Sequence, residues 1–541
     1  MNELLIRGAT VYDGTGKPGR IADVAVKDGR IAAPGSARKT LDAGGLALMP
    51  GIVDIHTHYD AQVTWDAKLS PSPALGVTTA ILGNCGFGIA PCPQALRETI
   101  LRNLSVVEGM DVEALLAGTR WDFETFPQYL DALERIHPYA NVGVLAGHST
   151  IRSAVMGEDA SSRKVPTPEE LNTMQNAVRE ALRVGAAGFA SSFSPNHSGW
   201  GGRPMPSTIC EDAELRAMVE PLKEAGRGIF VVAAGSKATP EYLEQMAADT
   251  GRPMFMVTVL TMYTDQAPGR AMTYYERCSE ALQRGHEVYI HANCQPLSFD
   301  FTLREPYPFM ALDAFDRVKR AKPEALPSIY ADPVFRQQFR ESLRNPKPGV
   351  LFSGDWSKVE IDGVPLPQLT AGKDALDYFC DLPPDTQMIA KLFQNDDAGV
   401  APLLRHEAGV IALSDAGAHL IYFCDAGFGL HFLAHWVRGN GTFTLEEGVR
   451  RLTSDPARKY RIPERGEIRI GAFADLLLFD PAAVGLSNLR RVQDMPGGGA
   501  RMIREPLGVH GVWVNGVQVH DGRDYCALAR GPGRVLREFG R

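Results

Sequence analysis

Leu48-Met49-Pro50-Gly51-Ile52-Val53-Asp54-Ile55-His56-Thr57-His58-Tyr59-Asp60 is the stretch from which the rest of the chain can be read. The apolar run Ile52-Val53-Asp54-Ile55 ends in two histidines separated by one residue. On an extended strand, side chains two apart point to the same side. Both imidazoles therefore leave the strand end in one direction, with Cα atoms about 7 Å apart by strand rise, close enough to grip one ion. Imidazole is the commonest neutral metal ligand near pH 7. A bare pair of this kind also occurs on half-exposed strands that bind nothing, so its meaning rests on what else the chain brings to it.

The chain has 541 residues, 44% hydrophobic and 22% charged, an ordinary globular composition with room for one large barrel-type domain and a smaller one. Its net charge of -8 and the lack of a basic block argue against nucleic acid as the main partner. MNELLIRGAT lacks the basic region and long apolar core of a signal peptide, and no apolar run approaches the length of a membrane span. Eight scattered cysteines without CxxC pairs read as reduced thiols. The expectation is a cytoplasmic protein acting on a small molecule, with no nucleic-acid or membrane partner and with self-association left open.

The two ends of the chain read alike. LLIRGATVYD and ADVAVKDGRIAA carry Asp28-Gly29 as a hairpin turn, and GVHGVWVNGVQVHDG (508–522) carries Asn515-Gly516 as another. They predict a small β-sandwich domain built from both termini, residues 1–48 and 461–541. Between them, apolar strand-like runs alternate with helical patterns, as βα units around a parallel sheet do. The predicted strands are 50–56, 77–83, 141–147, 186–191, 228–234, 254–260, 287–291 and 409–414, with helices such as 168–184 and 211–225 between them. Eight strands fit a closed (β/α)8 TIM-type barrel over 49–460. The interval 295–400 is too long for one connection. With its helical segment near 332–343 and the aromatic FSGDW at 352–356, it reads as an insertion covering the barrel mouth.

Chemistry in such barrels gathers at the C-terminal strand ends. Strand one ends in His56 and His58; strand two runs into Gly83-Asn84-Cys85-Gly86; strand three ends at Gly147-His148-Ser149. Strand seven ends in His291, and strand eight in Ser414-Asp415 with His419 following. Strands five and six end in Ala233-Ala234-Gly235 and Leu260-Thr261, without a ligand. Each has a plain alternative: Cys85 as a small core residue, His148 as a helix cap or partner of a buried carbonyl, His291 as a structural or substrate-facing residue. Asp415 is harder to dismiss, because an unpaired carboxylate at the end of a buried strand is costly unless something neutralises it. His56, His58, Cys85 and Asp415 together point to a metal centre.

PGIVDIHTHYD, GVTTAILGNCGFGIAPC, VGVLAGHSTIR and the late SDAGAH, in that order between β-rich ends, resemble the amidohydrolase superfamily and within it the D-aminoacylase (N-acyl-D-amino-acid deacylase) branch. GNCG is the most specific piece: that branch uses a cysteine where most amidohydrolases use a carbamylated lysine, and Cys85 stands there. The chain resembles more closely a divergent subgroup of larger amidohydrolase-like proteins, with GRPMPS (202–207) and SDAGAHLIYFCDAGFGLHFLAHWVR (414–438) as further shared stretches. The resemblance makes His56, His58, Cys85 and Asp415 metal ligands and Asp415 the general base. It implies zinc and amide hydrolysis of N-acyl amino acids by a metal-bound hydroxide. D-aminoacylases also take a histidine from strand five and one from strand six, and GIFVVAAGS and MFMVTVLTM carry none. The expectation is therefore one Zn2+ per chain. His148 and His291 are candidates to contact substrate, and Arg152 to pair with a substrate carboxylate, a surface salt bridge being its plain alternative. Opening of cyclic amides, as in hydantoinase and dihydroorotase relatives, and a non-catalytic barrel scaffold are the competing readings.

Overall fold

All eight predicted barrel strands are present as runs of buried or nearly buried residues, and burial on both faces is what a parallel sheet wrapped by helices imposes. Val77–Leu82, Asn141–Gly147, Gly188–Ser192, Ile229–Ala233 and Val288–Ala292 have no exposed position. In the computed structural model, which describes residues 1–540 except Asn196, residues 345–351, Ser353, Tyr422 and Phe423, these strands pair in parallel with Ile52–Asp54, Met254–Val257 and Gly409–Ile411. The sheet closes where Leu413 pairs with His56 and Ala416 with Thr57, also in parallel. The predicted (β/α)8 barrel is thus formed, its first and last strands meeting at the histidine pair.

Two boundaries differ from the sequence reading. Pro50 is not a barrel residue: Ala47–Pro50 pairs antiparallel with Leu476–Phe479, in the terminal sheet. Gly51 makes the handover, because a Cβ there would lie 2.1 Å from the Thr78 side chain. Strand six stops at Val257, and Val259–Thr261 coils into a short turn in which Thr261 Oγ1 donates to the Thr258 carbonyl at 2.7 Å. A β-branched apolar run is read as strand from sequence even where a threonine hydroxyl offers the backbone a turn instead.

Helix positions follow their caps. Pro168–Val184 begins at Thr167, which forms a capping box with Glu170, and ends at Gly185 with φ 113°. Asp212–Ala225 matches the second predicted helix within one residue.

The termini share one eight-stranded sheet. Its order runs Val517–His520, Val509–Val514, Leu476–Phe479, Ala47–Pro50, Asn2–Val11, Arg20–Lys27, Arg30–Ala32, with Ala37–Asp42 also on Asn2–Val11. Both predicted hairpins are two-residue turns with positive φ at each position: Asp28 53° and Gly29 74°, Asn515 47° and Gly516 81°. Leu4, Ile6, Val24, Val26, Leu48, Leu476, Leu478 and Trp513 form its core.

Residues Gln295–Pro402, joined by Met262–Ala271, form a compact unit of their own. It contains a four-stranded antiparallel sheet of Leu297–Phe301, Met388–Phe393, Val359–Ile361 and Val364–Pro365, and a core rich in phenylalanine. The predicted helix is Pro333–Arg344; Phe352 and Trp356 pack into or against that core, while Ser353 lies outside the described residues. Among the described residues no helix is long and apolar enough to cross a membrane.

Terminal sheet and barrel are tied by a buried polar network. The carboxylate of Asp475 accepts from Arg465, from Asn141 Nδ2 at 3.1 Å and from the Asn515 backbone N–H at 2.8 Å. Asn515 Nδ2 in turn donates to Asn141 Oδ1 at 2.8 Å. Removing one partner of a buried ion pair strands the other charge, which costs about 3–5 kcal/mol. Asp475→Ala is therefore expected to lower the free energy of unfolding by that much, read as a lower urea midpoint; an unchanged midpoint would show that the network does not hold sheet and barrel together.

Candidate metal centre and active site

The first strand is anchored to the eighth by polar bonds that aim its histidines. Asp54 accepts the His56 N–H at 3.2 Å and the Ser414 hydroxyl, and the His58 N–H donates to the Ala416 carbonyl at 2.7 Å. Thr57, on the opposite side of the strand, donates to the Ile81 carbonyl at 2.8 Å. His56 and His58 are 1% and 2% exposed, with ring centroids 5.3 Å apart.

Asp415 Oδ1 sits between them, 3.4 Å from His56 Nε2 and 3.2 Å from His58 Nε2. Cys85 Sγ lies 3.7 Å from His56 Nε2. Cys85 and Asp415 both hold positive φ, 56° and 53°, as does His419. Three non-glycine residues in that sparsely populated region, all around one site, mark backbone strain held by the surrounding structure. Gly83 lets the second strand turn there: its φ is 81°, and a Cβ would meet the Leu145 carbonyl oxygen at 2.3 Å.

Burial and charge pull these groups apart. For Asp415 burial acts upward, but hydrogen bonds from His56 and His58 outweigh it and hold the carboxyl well below the usual range. For His58 burial acts downward, and Glu108, Asp415 and Cys85 outweigh it, so its ring is far more basic than usual. His56 is lowered, by burial first. Burial pushes the Cys85 thiol up to about 11.

Two imidazoles and a thiol with ligand atoms within 4.8 Å of one another, and a carboxylate beside them, are donors suited to a divalent transition metal. A thiol this deeply buried becomes a thiolate only beside a cation. These residues fit a metal. Strands five and six, ending at Ala233 and Val257, bring no imidazole to join them.

The remaining expected residues are placed differently. His148 and Arg152 belong to a second buried cluster: His148 Nδ1 lies 2.8 Å from Ser191 Oγ and its Nε2 3.0 Å from Glu214 Oε1. Arg152 is fully buried, with Nε 3.3 Å from Glu214 Oε1, and it donates to the carbonyls of Pro206 at 2.8 Å and Lys164 at 3.1 Å and to that of Arg163. Both are held inside the protein, and Arg152 is no surface salt bridge. His291 stands behind His56, the two Nδ1 atoms 3.0 Å apart, with Tyr460 Oη 2.9 Å from its other nitrogen. It too faces protein on both sides.

Two site residues escaped the sequence reading, and a third was noted there without a role. Glu108, 3% exposed, places Oε1 3.4 Å from His58 Nδ1, and its carbonyl accepts the His419 N–H. It closes the helix Arg97–Val107, whose buried face is Ile100, Leu101, Leu104 and Val107. A carboxylate continuing the Leu101–Leu104 stripe was the available signal. His197 hydrogen-bonds Ser192 Oγ at 2.7 Å and packs on Phe87; burial, then the charges of His58 and His419, lower it to about 3, so it is a neutral imidazole. His419, noted only as a nearby residue from sequence, has Nε2 3.5 Å from Asp415 Oδ2.

Comparison with known proteins meets this geometry. The amidohydrolase family is matched over residues 39–316 and 396–520. The D-aminoacylase of Alcaligenes xylosoxydans xylosoxydans is 27% identical over an alignment covering 99% of this chain and 97% of that protein. N-acyl-D-glutamate deacylase from Bordetella bronchiseptica, crystallised with zinc and a phosphonate mimic of the tetrahedral intermediate, superposes with a TM-score of 0.68 at 25% identity, covering 99% of this chain and 100% of that one. A D-aminoacylase structure, described in terms of one-metal activation and second-metal attenuation of its binuclear centre, aligns with the same score, identity and coverage. With more than half of its length matched and its donors gathered at the barrel strand ends, the chain belongs to the amidohydrolase family and is a hydrolase of carbon–nitrogen amide bonds.

Proposed function

We propose that this protein hydrolyses N-acyl amino acids, with the D-series as the preferred class, using one zinc ion held by His56, His58, Cys85 and Asp415. The observation that carries the reading is Asp415 Oδ1 lying within 3.4 Å of both Nε2 atoms, with Cys85 Sγ 3.7 Å from one of them. A metal there supplies Lewis acidity toward water and the scissile carbonyl. Asp415, kept ionised by its two histidines, accepts the proton of the attacking water and returns it to the leaving nitrogen. His197, neutral and set beside the charged groups, is suited to donate a hydrogen bond to the developing oxyanion. The products are a carboxylate and a free amino acid. His148 and Arg152 act as scaffold through Glu214, so the substrate carboxylate is recognised elsewhere.

One ion follows from the side chains available. The cysteine side of the site has no imidazole from strands five or six, and His291 is engaged behind His56. Glu108 supports the occupied side from behind His58, where a carboxylate orients a ligand imidazole and raises its basicity.

Two tests follow. Assayed with zinc on a panel of N-acetyl-D- and L-amino acids beside hydantoins, the protein is expected to release free D-amino acids; ring opening of hydantoins alone would overturn the substrate class. Within that assay Asp415→Asn should lower kcat by roughly 100- to 10,000-fold, and full activity would remove Asp415 as the base. Separately, Glu108→Gln should weaken zinc binding about 10- to 100-fold, measured by competition with a chromophoric chelator. Unchanged affinity would leave Glu108 no role at the centre.

A further inference from the structure

The end of the barrel away from the metal centre holds a cavity that the hydrolytic reading does not use. It measures about 410 Å3, within the range of small-molecule sites. Tyr289 at the start of strand seven, Glu407 just before strand eight and the last turns of the helices Leu445–Leu452 and Ser454–Lys459 line it. His291 and Asp415 lie toward the opposite ends of those two strands, so a ligand here does not meet the substrate. We propose that this cavity binds a small molecule carrying two or more phosphate groups.

The charges on its wall do not balance. Arg405, Arg450, Arg451, Arg458 and Lys459 face Glu407, Glu447 and Asp455, five cations against three carboxylates. Two of these carboxylates are engaged by uncharged donors: Glu407 accepts from the Ser279 hydroxyl, and Glu447 from the Thr444 backbone N–H at 2.9 Å. Asp455 pairs with the cations and is shared by three of them, Arg458 at 2.8 Å, Lys459 at 3.1 Å and Arg451 at 3.3 Å. Among the described residues, neither Arg405 nor Arg450 forms an ion pair. The helices ending at Arg405 and Leu452 each bring about half a negative charge to their last turns, which offsets part of the surplus. The cavity remains positive in a chain whose net charge is -8.

Floor and rim divide the work of holding an anion. Arg451 and Lys459 form the floor, each 5% exposed. Lys459 donates to the carbonyls of Glu407 at 3.1 Å and Gly409 at 3.4 Å, and Arg451 to those of His406 at 3.0 Å and Leu404. Their donors are spent on the protein, and what they offer a ligand is field, strengthened by low-dielectric walls. Burial brings the Lys459 ammonium down to about 8 even with Asp455 beside it, so the single carboxylate does not repay the buried charge. Arg405, Arg450 and Arg458 form the rim, with the Arg405 guanidinium 5.0 Å above the Phe443 ring. Guanidinium forks match phosphate oxygens in pairs. The three rim arginines come from three different helices, more than a single phosphate can engage, and two linked phosphates can bridge them.

Titration calorimetry of the full-length protein with pyrophosphate tests the site, and no readout depends on hydrolysis. One pyrophosphate per chain is expected to bind the wild type. Arg405→Gln/Arg450→Gln, which breaks no ion pair of the described residues, should weaken binding about 10- to 100-fold. Arg7→Gln/Arg38→Gln removes the same charge from exposed positions of the terminal sheet and should bind as wild type. No binding by the wild type, or an equal loss in both double variants, would overturn the proposal. His56→Ala/His58→Ala is also expected to bind as wild type; loss of binding there would place the pyrophosphate on the metal centre and overturn the site. Citrate at equal ionic strength should bind at least about tenfold more weakly, and equal affinity would overturn phosphate as the ligand class.

Discussion

Closure of the barrel is the constraint from which the site follows. Leu413 pairs with His56 and Ala416 with Thr57, although the two strands lie some 358 residues apart along the chain. That pairing places Ser414 against Asp54 and His56, and Asp415 between the two imidazoles. Neither strand could hold this geometry alone. The histidines need the eighth strand to fix their backbone, and Asp415 needs the histidines to remain ionised at a buried position. The left-handed backbone at Cys85, Asp415 and His419 is a local cost of bringing three strand ends to one point.

Seen this way, the centre is layered. Nearest the ligand atoms are two rings, a thiol and a carboxylate. Behind His58 stands Glu108; behind His56 stand His291 and Tyr460. The two imidazoles are therefore supported differently, one by a buried carboxylate and one by neutral groups. The first raises the basicity of His58, while the second packs an uncharged ring and a phenol behind His56. Strands five and six, on the other side, end in Ala233 and Val257 and bring no imidazole to the centre.

Much of this was legible in the sequence because it is written in short-range terms. Continuous apolar runs marked the barrel strands, Asp-Gly and Asn-Gly marked the hairpins, and His56, His58, Cys85 and Asp415 were visible because each sits at the end of such a run. What the sequence could not show was direction across space. His148 follows strand three as a site residue would, yet its ring turns to Ser191 and Glu214, and Arg152 four residues on turns to the same carboxylate. Glu108 and Tyr460 lie outside any strand end and reach the centre only through helix packing. The short strands of the phenylalanine-rich unit carried too little pattern to be read at all, and strand six was overread because Thr258 closes a turn that periodicity does not register.

The proposal on which the account turns is that His56, His58, Cys85 and Asp415 hold a single metal ion, strands five and six bringing no imidazole for a second. Metal content measured by elemental analysis, after reconstitution of the purified protein with excess zinc and removal of the free ion, tests this most directly. The account predicts one zinc per chain, lost in a His56→Ala/His58→Ala double variant. Two zinc ions per chain in the wild-type protein would contradict it.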